Sequence, residues 1–342
     1  GSSPDQSFEG VLLSGLARDG GLFVPAAWPK FSAAQIEALG ALSYTEIVTT
    51  IIRPFIEIEL VSDPDLDRIV SQAYSEFRDP AVAPLTQLDE DTWMLELFHG
   101  PTLAFKDFAL QLLGGLFDHV LGLRGKRLTI IGATSGDTGA AAIEACRDRD
   151  NLDIFMLYPE GRVSEVQRRQ MTTVESKNVF NIAVRGTFDD CQDLVKVAFA
   201  DHDLRDELAL SSVNSINWAR VMGQTAYYFA AAARLGASED RFTFVVPTGN
   251  FGNVYAGYAA RKMGLPIEKF VVASNRNDIL YRFFDHGDMS ITGVEASLSP
   301  SMDIQVSSNF ERLMFDLLDR DGDAVAAAMA AFRSDGALPD AP

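Results

Sequence analysis

Lys106 is the residue whose setting most suggests chemistry. It stands between two phenylalanines in His99-Gly100-Pro101-Thr102-Leu103-Ala104-Phe105-Lys106-Asp107-Phe108, where an apolar helical pattern begins. A lysine so placed is partly desolvated. Desolvation lowers an ammonium pKa, and the neutral amine is the form that attacks an aldehyde to make a Schiff base. The competing reading is an ordinary exposed lysine at a helix start, with Asp107 serving only the helix dipole. His99 is either a group near a bound ring or a structural histidine capping the turn.

Further segments look built to hold anions. Gly132-Ala133-Thr134-Ser135-Gly136-Asp137-Thr138-Gly139 follows an apolar run and opens an alanine-rich helix. Its small residues permit close backbone approach, the free N–H groups of a helix start attract carboxylate or phosphate, and its hydroxyls add donors. It lacks the Gly-Lys-Ser/Thr ending of a Walker loop and is no Gly-x-Ser-x-Gly elbow; a tight turn with an Asp or Thr cap would explain the same residues. Pro247-Thr248-Gly249-Asn250-Phe251-Gly252-Asn253 has the same strand-to-helix position and reads as a backbone nest for a phosphate. In Asn214-Ser215-Ile216-Asn217-Trp218-Ala219-Arg220 a polar set leads to an arginine, which can grip a phosphate by two parallel bonds or merely stand exposed at a capped helix start.

The elements that must position these loops are legible as patterns. From Phe31 to about Phe77 apolar residues recur at three-to-four spacing, through Ile36, Leu39, Leu42, Ile47, Ile51, Ile52 and Phe55, which predicts a helical N-terminal lobe over 1–85. Asp79-Pro80-Ala81-Val82-Ala83-Pro84 reads as a linker. Beyond it, strands are expected at Trp93–Leu97, Leu128–Ile131, Ile154–Leu157, Val179–Val184, Phe242–Val246 and Phe270–Ala273, with helical patterns between them. The series predicts an α/β core over 86–342 built on a mostly parallel sheet covered on both faces, with ligands beyond the carboxyl ends of the strands.

Composition limits the partners. The chain has 342 residues, 47% hydrophobic and 23% charged, enough for a large core. A formal net charge of −19 repels nucleic acid and anionic membrane surfaces, so an anionic substrate needs a local basic pocket. Cys146 and Cys191 have neither disulfide nor zinc spacing, and no metal site is expected. There is no apolar run of about 18 residues and no basic-then-hydrophobic N-terminal segment. A soluble, cytoplasmic protein is expected, with its oligomeric state left open.

Taken together and in this order, Pro-Thr-Leu-Ala-Phe-Lys-Asp, Ala-Thr-Ser-Gly-Asp-Thr-Gly, Asn-Ser-Ile-Asn-Trp-Ala-Arg and Pro-Thr-Gly-Asn-Phe-Gly-Asn resemble the threonine synthases. These are pyridoxal-phosphate enzymes of fold type II, the tryptophan-synthase-β-like fold. Asp19-Gly20-Gly21-Leu22-Phe23-Val24-Pro25, Asn275-Arg276-Asn277-Asp278 and Ser299-Pro300-Ser301-Met302-Asp303-Ile304 resemble the longer, bacterial and fungal branch. The resemblance implies sheets in two lobes, with a mobile subdomain around 125–215, and pyridoxal 5'-phosphate bound to Lys106, which also moves protons. It implies that Gly249, Asn250, Phe251, Gly252 and Asn253 cradle the cofactor phosphate. Asp137 stands where related enzymes place an asparagine beside the cofactor's 3-hydroxyl, and an acid there has to share a proton with that oxygen. Thr134 and Ser135, with the backbone at Gly136, would hold the substrate α-carboxylate; Ser215, Arg220 and Thr138 would grip its phosphate. The implied reaction converts O-phospho-L-homoserine and water to L-threonine and phosphate.

One departure stands out. The family's serine or threonine at the pyridine nitrogen has no clear equivalent in the tail from Ala324 to Pro342, whose Ser334–Asp340 stretch reads as a loop. The alternatives are a related lyase of the same fold, either a serine or threonine dehydratase, which has no substrate phosphate for Arg220 to bind, or a phosphohomoserine lyase, and a non-catalytic ligand-binding relative, against which Lys106 argues.

Overall fold

The computed structural model of the chain describes residues 3–236 and 241–338. The N-terminal region is helical: α1 (Phe8–Ser14), α2 (Ala33–Ala38), α3 (Tyr44–Ile52) and α4 (Asp63–Tyr74). Their starts are chemically marked. Ser32 with Gln35 and Ser43 with Glu46 form reciprocal capping boxes, and Ser62 caps α4 ahead of Pro64. Ile47, Val48, Ile51 and Ile52 of α3 and Leu66, Ile69, Val70 and Ala73 of α4 are buried, the three-to-four spacing of a single apolar face.

After α4 the chain does not run free. Val82 and Ala83, expected in a linker, are buried, and Arg234 Nη1 donates to the Ala83 carbonyl at 2.9 Å. The composition signals a turn correctly, since Val82 has φ 60°, but apolar burial overrides the loose connection it suggests. Next, β1 (Leu85–Gln87) and β2 (Trp93–Leu95) pair antiparallel. Trp93–Leu97 was expected as a parallel interior strand. It is a short, partly exposed ribbon, because its partner is the adjacent hairpin segment.

The long helix α5 (Lys106–Arg124) begins at the candidate lysine. Tyr74, Phe77, Phe108 and Tyr227 pack ring against ring beside it, Phe77 and Phe108 with centroids 4.8 Å apart, and Tyr74 Oη donates to the Phe108 carbonyl at 2.9 Å. The first turn of α5 is thereby anchored to the helical region.

A four-stranded parallel sheet follows, with β3 (Leu128–Ala133), β4 (Leu152–Pro159), β5 (Val179–Val184) and β6 (Leu210–Ser211) in the spatial order β5-β4-β3-β6. Helices α6 (Asp137–Cys146), α7 (Glu165–Thr172), α8 (Phe188–Ala200) and α9 (His202–Glu207) belong to this unit. The buried α10 (Trp218–Arg234) leads to a separate parallel pair, β7 (Phe242–Pro247) and β8 (Ile267–Ala273), connected by α11 (Gly252–Lys262). The parallel strands thus form two sheets, and the second is not covered on both faces: Val245 is 66% exposed.

Helix α12 (Ile279–His286), a 3-10 turn at Pro300–Met302, α13 (Phe310–Leu317) and α14 (Gly322–Asp335) complete the described chain. Ser334 and Asp335, expected in a loop, are the last residues of α14, whose buried Met329 and Phe332 hold it to the body. Residues 339 and 340 of that expected loop lie outside the described residues. No helix among the described residues is long and apolar enough to cross a membrane.

Candidate active site

Each loop singled out for chemistry leaves a strand or opens a helix, and the fold brings them together at one place. Lys106 heads α5 and is 8% exposed, its Nζ 5.5 Å from the centroid of the Phe105 ring. Burial pulls its ammonium pKa below the usual lysine value, and the Arg220 charge adds to that effect while Asp137 opposes it. The loop ahead of it is held by Asp107, whose carboxylate accepts from the Thr102 N–H at 2.8 Å and the Thr102 hydroxyl at 2.6 Å. Burial lifts Asp107 to about 6 despite those donors. Asp107 is thus a structural member of the loop, more than a helix-dipole charge. Leu103, with φ 64°, is strained in the same loop.

Lys106 Nζ donates to Asp137 Oδ2. Asp137 opens α6 behind Gly136, whose φ of 142° disfavours any side chain, and a Cβ there would also push the Gln167 side chain aside. Burial works against ionising Asp137, but the Lys106 charge and hydrogen bond, the Ser301 hydroxyl and the Thr138 N–H outweigh it, and its pKa falls below the usual value. Thr134 Oγ1 accepts from the N–H groups of Gly136 at 2.9 Å and Gly139 at 2.8 Å, so this hydroxyl oxygen shapes the loop. Ser135 and Thr138 are half-buried beside it.

Arg220 lies in the first turn of α10, 4% exposed. Its Nη1 donates to the Val213 carbonyl at 3.1 Å, whereas Nε is buried without a partner among the described residues. Burial lowers its pKa to about 10, with Asp137 and Tyr227 acting in the other direction. A forked cation with an unused donor beside the Lys106–Asp137 pair is suited to a phosphate. Ser215 lies close by, its Oγ 3.5 Å from Ser308 Oγ and its Cβ against Gly252.

The Gly249–Asn253 loop offers backbone more than side chains. Phe251 has φ 61° and is buried between Phe284 and Phe310. Asn253 Oδ1 is taken by the hydroxyls of Tyr227 and Tyr228, at 2.5 and 2.9 Å. Gly249 rests on the 301–304 segment, where an added Cβ would stand 3.1 Å from Met302 Cα. A phosphate here would meet the N–H groups of a nest at the start of α11.

Two residues go beyond those singled out from the sequence. Ser301 Oγ donates to Asp137 Oδ2. Arg312, 1% exposed, donates to the carbonyls of Phe23 at 2.9 Å, Ser215 at 3.4 Å and Ile216 at 2.6 Å, and so ties the Ser215 loop to the N-terminal region. The only signal for Arg312 is a charged residue within the apolar pattern of α13. His99 joins neither: its Nε2 lies 2.7 Å from Glu96 Oε2 and its ring packs on Phe98. Cys146 and Cys191 are buried free thiols.

A desolvated lysine at a helix start, a carboxylate on its amine and a glycine-rich nest at the end of a parallel strand define an enzyme of the pyridoxal-phosphate class, fold type II. The donors fit that cofactor, with an amine for its aldehyde and a nest for its phosphate. The comparisons agree. A profile for pyridoxal-phosphate dependent enzymes matches residues 80–333, and one for the threonine synthase N terminus matches residues 1–74. The threonine synthase of Pseudomonas aeruginosa is 56% identical over 338 residues, covering 99% of this chain and 72% of its own length. That of Saccharomyces cerevisiae is 46% identical over 333 residues, covering 92% and 65% respectively. The crystal structure of pyridoxal-phosphate-bound threonine synthase from Brucella melitensis superposes with a TM-score of 0.96 at 53% identity, covering 100% of this chain and 73% of that one. The chain belongs to the threonine synthase family, and its cofactor is pyridoxal phosphate.

Proposed function

We propose that the chain converts O-phospho-L-homoserine and water to L-threonine and phosphate. The observation that carries this reading is the pairing of the desolvated Lys106 with the buried Arg220, whose Nε has no hydrogen-bond partner among the described residues. A dehydratase acting on an unphosphorylated amino acid has no use for that second cation, and a phosphate-binding protein without chemistry has no use for the buried amine.

Arg220, Ser215 and Thr138 hold the substrate phosphate, giving the acidic chain the local positive charge an anion needs. Ser135, with the backbone at Gly136 and the buried Thr134, orients the α-carboxylate. Lys106 would hold the cofactor through its amine and carry protons to and from the substrate carbons, a role toward which burial, by lowering its pKa, works. Asp137 would stand beside the cofactor's 3-hydroxyl and share a proton with it. Gly249, Asn250, Phe251, Gly252 and Asn253 cradle the cofactor phosphate through their backbone. When bound, pyridoxal phosphate supplies the electron sink that stabilises negative charge on the substrate carbons. We assign the reaction to the cytoplasm; two buried free thiols, Cys146 raised by burial to about 12, suit a reducing compartment.

The test is the visible absorbance of protein reconstituted with pyridoxal phosphate, for wild type and Lys106→Ala, followed by release of phosphate and threonine from O-phosphohomoserine. Wild type should colour and turn over. Lys106→Ala should lose its lysine-dependent band and at least about a thousandfold in turnover. A protein that stays colourless would refute the reading, and serine or threonine dehydration without phosphate release would transfer it to a sister enzyme.

A further inference from the structure

Ser301 lies far along the chain from the lysine and aspartate loops, yet its hydroxyl ends on the same carboxylate oxygen as Lys106 Nζ. Asp137 Oδ2 thus accepts from both groups, while Oδ1 takes the Thr138 N–H at 2.6 Å. The segment bearing Ser301 is held firmly. Asp303 accepts from the Ser297 N–H at 3.0 Å, from the Ser297 hydroxyl at 2.6 Å and from Asn275 Nδ2 at 2.8 Å. The Met302 N–H closes a turn on the Ser299 carbonyl at 2.8 Å. On its other side the segment supports Gly249, whose missing Cβ leaves the space that Met302 Cα and the Ser301 carbonyl occupy.

We infer that Ser301 is a positioning residue for the cofactor's proton: its hydroxyl fixes the Asp137 carboxylate toward Lys106 and the cofactor and keeps that carboxylate ionised. The inference rests on the reading of this site as the pyridoxal-phosphate site. An O–H donor to a carboxylate favours the charged form. Asp137, Lys106 and the bound cofactor share protons at close range, so they titrate as one coupled group, and removing a donor that stabilises the deprotonated state raises the group's apparent pKa. The turn at Pro300–Met302 does a second task, because the same backbone that aims the hydroxyl also buttresses the phosphate nest at Gly249. The carboxylate and the nest that would hold the cofactor's two ends thus both rest on one short, cross-braced segment.

The experiment is a pH titration of the visible absorbance of the reconstituted holoenzyme, for wild type, Ser301→Ala and Ser301→Thr. Ser301→Ala should move the midpoint upward by about one pH unit, the size expected for one charge-assisted hydrogen bond. Ser301→Thr, which keeps the hydroxyl, should titrate like wild type. In steady state, Ser301→Ala should lower kcat by about tenfold while leaving KM for O-phosphohomoserine within about twofold, because the phosphate grip lies at Arg220. An unshifted midpoint in Ser301→Ala overturns the inference, and so does a shift in Ser301→Thr equal to that of the alanine variant. If Ser301→Ala fails to fold, Ser301→Val against Ser301→Thr makes the comparison at nearly constant shape: a shift in valine alone supports the inference, and equal midpoints overturn it. Wild type that takes no colour from pyridoxal phosphate would instead refute the reading of the site on which the inference depends.

Discussion

A buried guanidinium that forms no ion pair among the described residues is costly to retain, and Arg220 is such a group: Asp137 acts on it only through its charge, and that carboxylate is already bonded to Lys106. Its one side-chain bond among the described residues, to the Val213 carbonyl, and its pKa lowered to about 10 are what a binding residue waiting for an anion would show. Arg220→Met should therefore separate stability from function. The urea midpoint of the apoprotein should stay level or rise, by an amount worth about 1 kcal/mol, while KM for O-phosphohomoserine rises about a hundredfold. A large loss of stability with unchanged KM would make Arg220 a structural residue. Asp107 gives a pH-dependent case. Its folded pKa is raised from 3.8 to about 6 by burial, so between those values the folded chain holds a proton that the unfolded chain releases. The contribution of this group is full below about pH 4 and is lost as pH rises through about 6. Wild type should thus lose stability relative to Asp107→Asn on going from pH 4 to pH 7, by about 1–3 kcal/mol. Paired denaturation curves at the two pH values measure the difference, and a constant gap would contradict the assignment.

At the scale of elements, the site is made of strand-to-helix turns forced into unusual backbone. Gly136 at φ 142° is the strictest of them, since a Cβ would strike the Gln167 side chain and the torsion itself disfavours any other residue. Gly136→Ala should destabilise the chain by about 1–3 kcal/mol and displace Asp137 from Lys106. Denaturation together with the visible spectrum of the holoenzyme would show it, and a variant of wild-type stability and colour would mean that the loop is less constrained than its geometry implies. These turns are legible in the sequence because each follows an apolar run and combines small residues with donors. β5 coincides with its expected span, and β3 and β7 extend theirs by one or two residues. The ribbon of β1 and β2 is not legible in the same way: each strand has three residues and little burial, so no alternation develops. Nor is Ser301's partner, because a hydroxyl meeting a carboxylate 164 positions away leaves no local period. Arg312 and the buried Val82–Ala83 are cases where tertiary packing decides and local composition misleads.

For the whole molecule, the question is how a site fed by separate units excludes water until water is needed. Asp137 and the Thr134 loop belong to the unit with the four-stranded sheet, whereas Arg220, the Gly249–Asn253 nest and Ser301 belong to the remainder. The segment 125–215 is expected to move against that remainder when substrate phosphate and carboxylate bridge them. Its tightest packing contact with the remainder lies where α6 meets α5 at Gly114, where an added Cβ would stand 2.3 Å from the Ala145 carbonyl. Such a contact permits pivoting or sliding more readily than separation, the pattern of shear closure. At the opposite, loop side, the Gln170 side chain reaches the Thr102 carbonyl at 3.0 Å and Lys106 meets Asp137, so that closure would tighten bonds the fold has already begun to form. A phosphonate analogue of the substrate, which cannot lose its phosphorus group, should hold the closed arrangement. Amide hydrogen exchange in Thr134–Gly139 should then slow by about tenfold or more, with a smaller change in the α5–α6 contact around Gly114, which is already packed. Unchanged protection in the Thr134 loop, under conditions where the analogue is bound, would mean that the two units are set before substrate arrives and that water is excluded by the ligand alone.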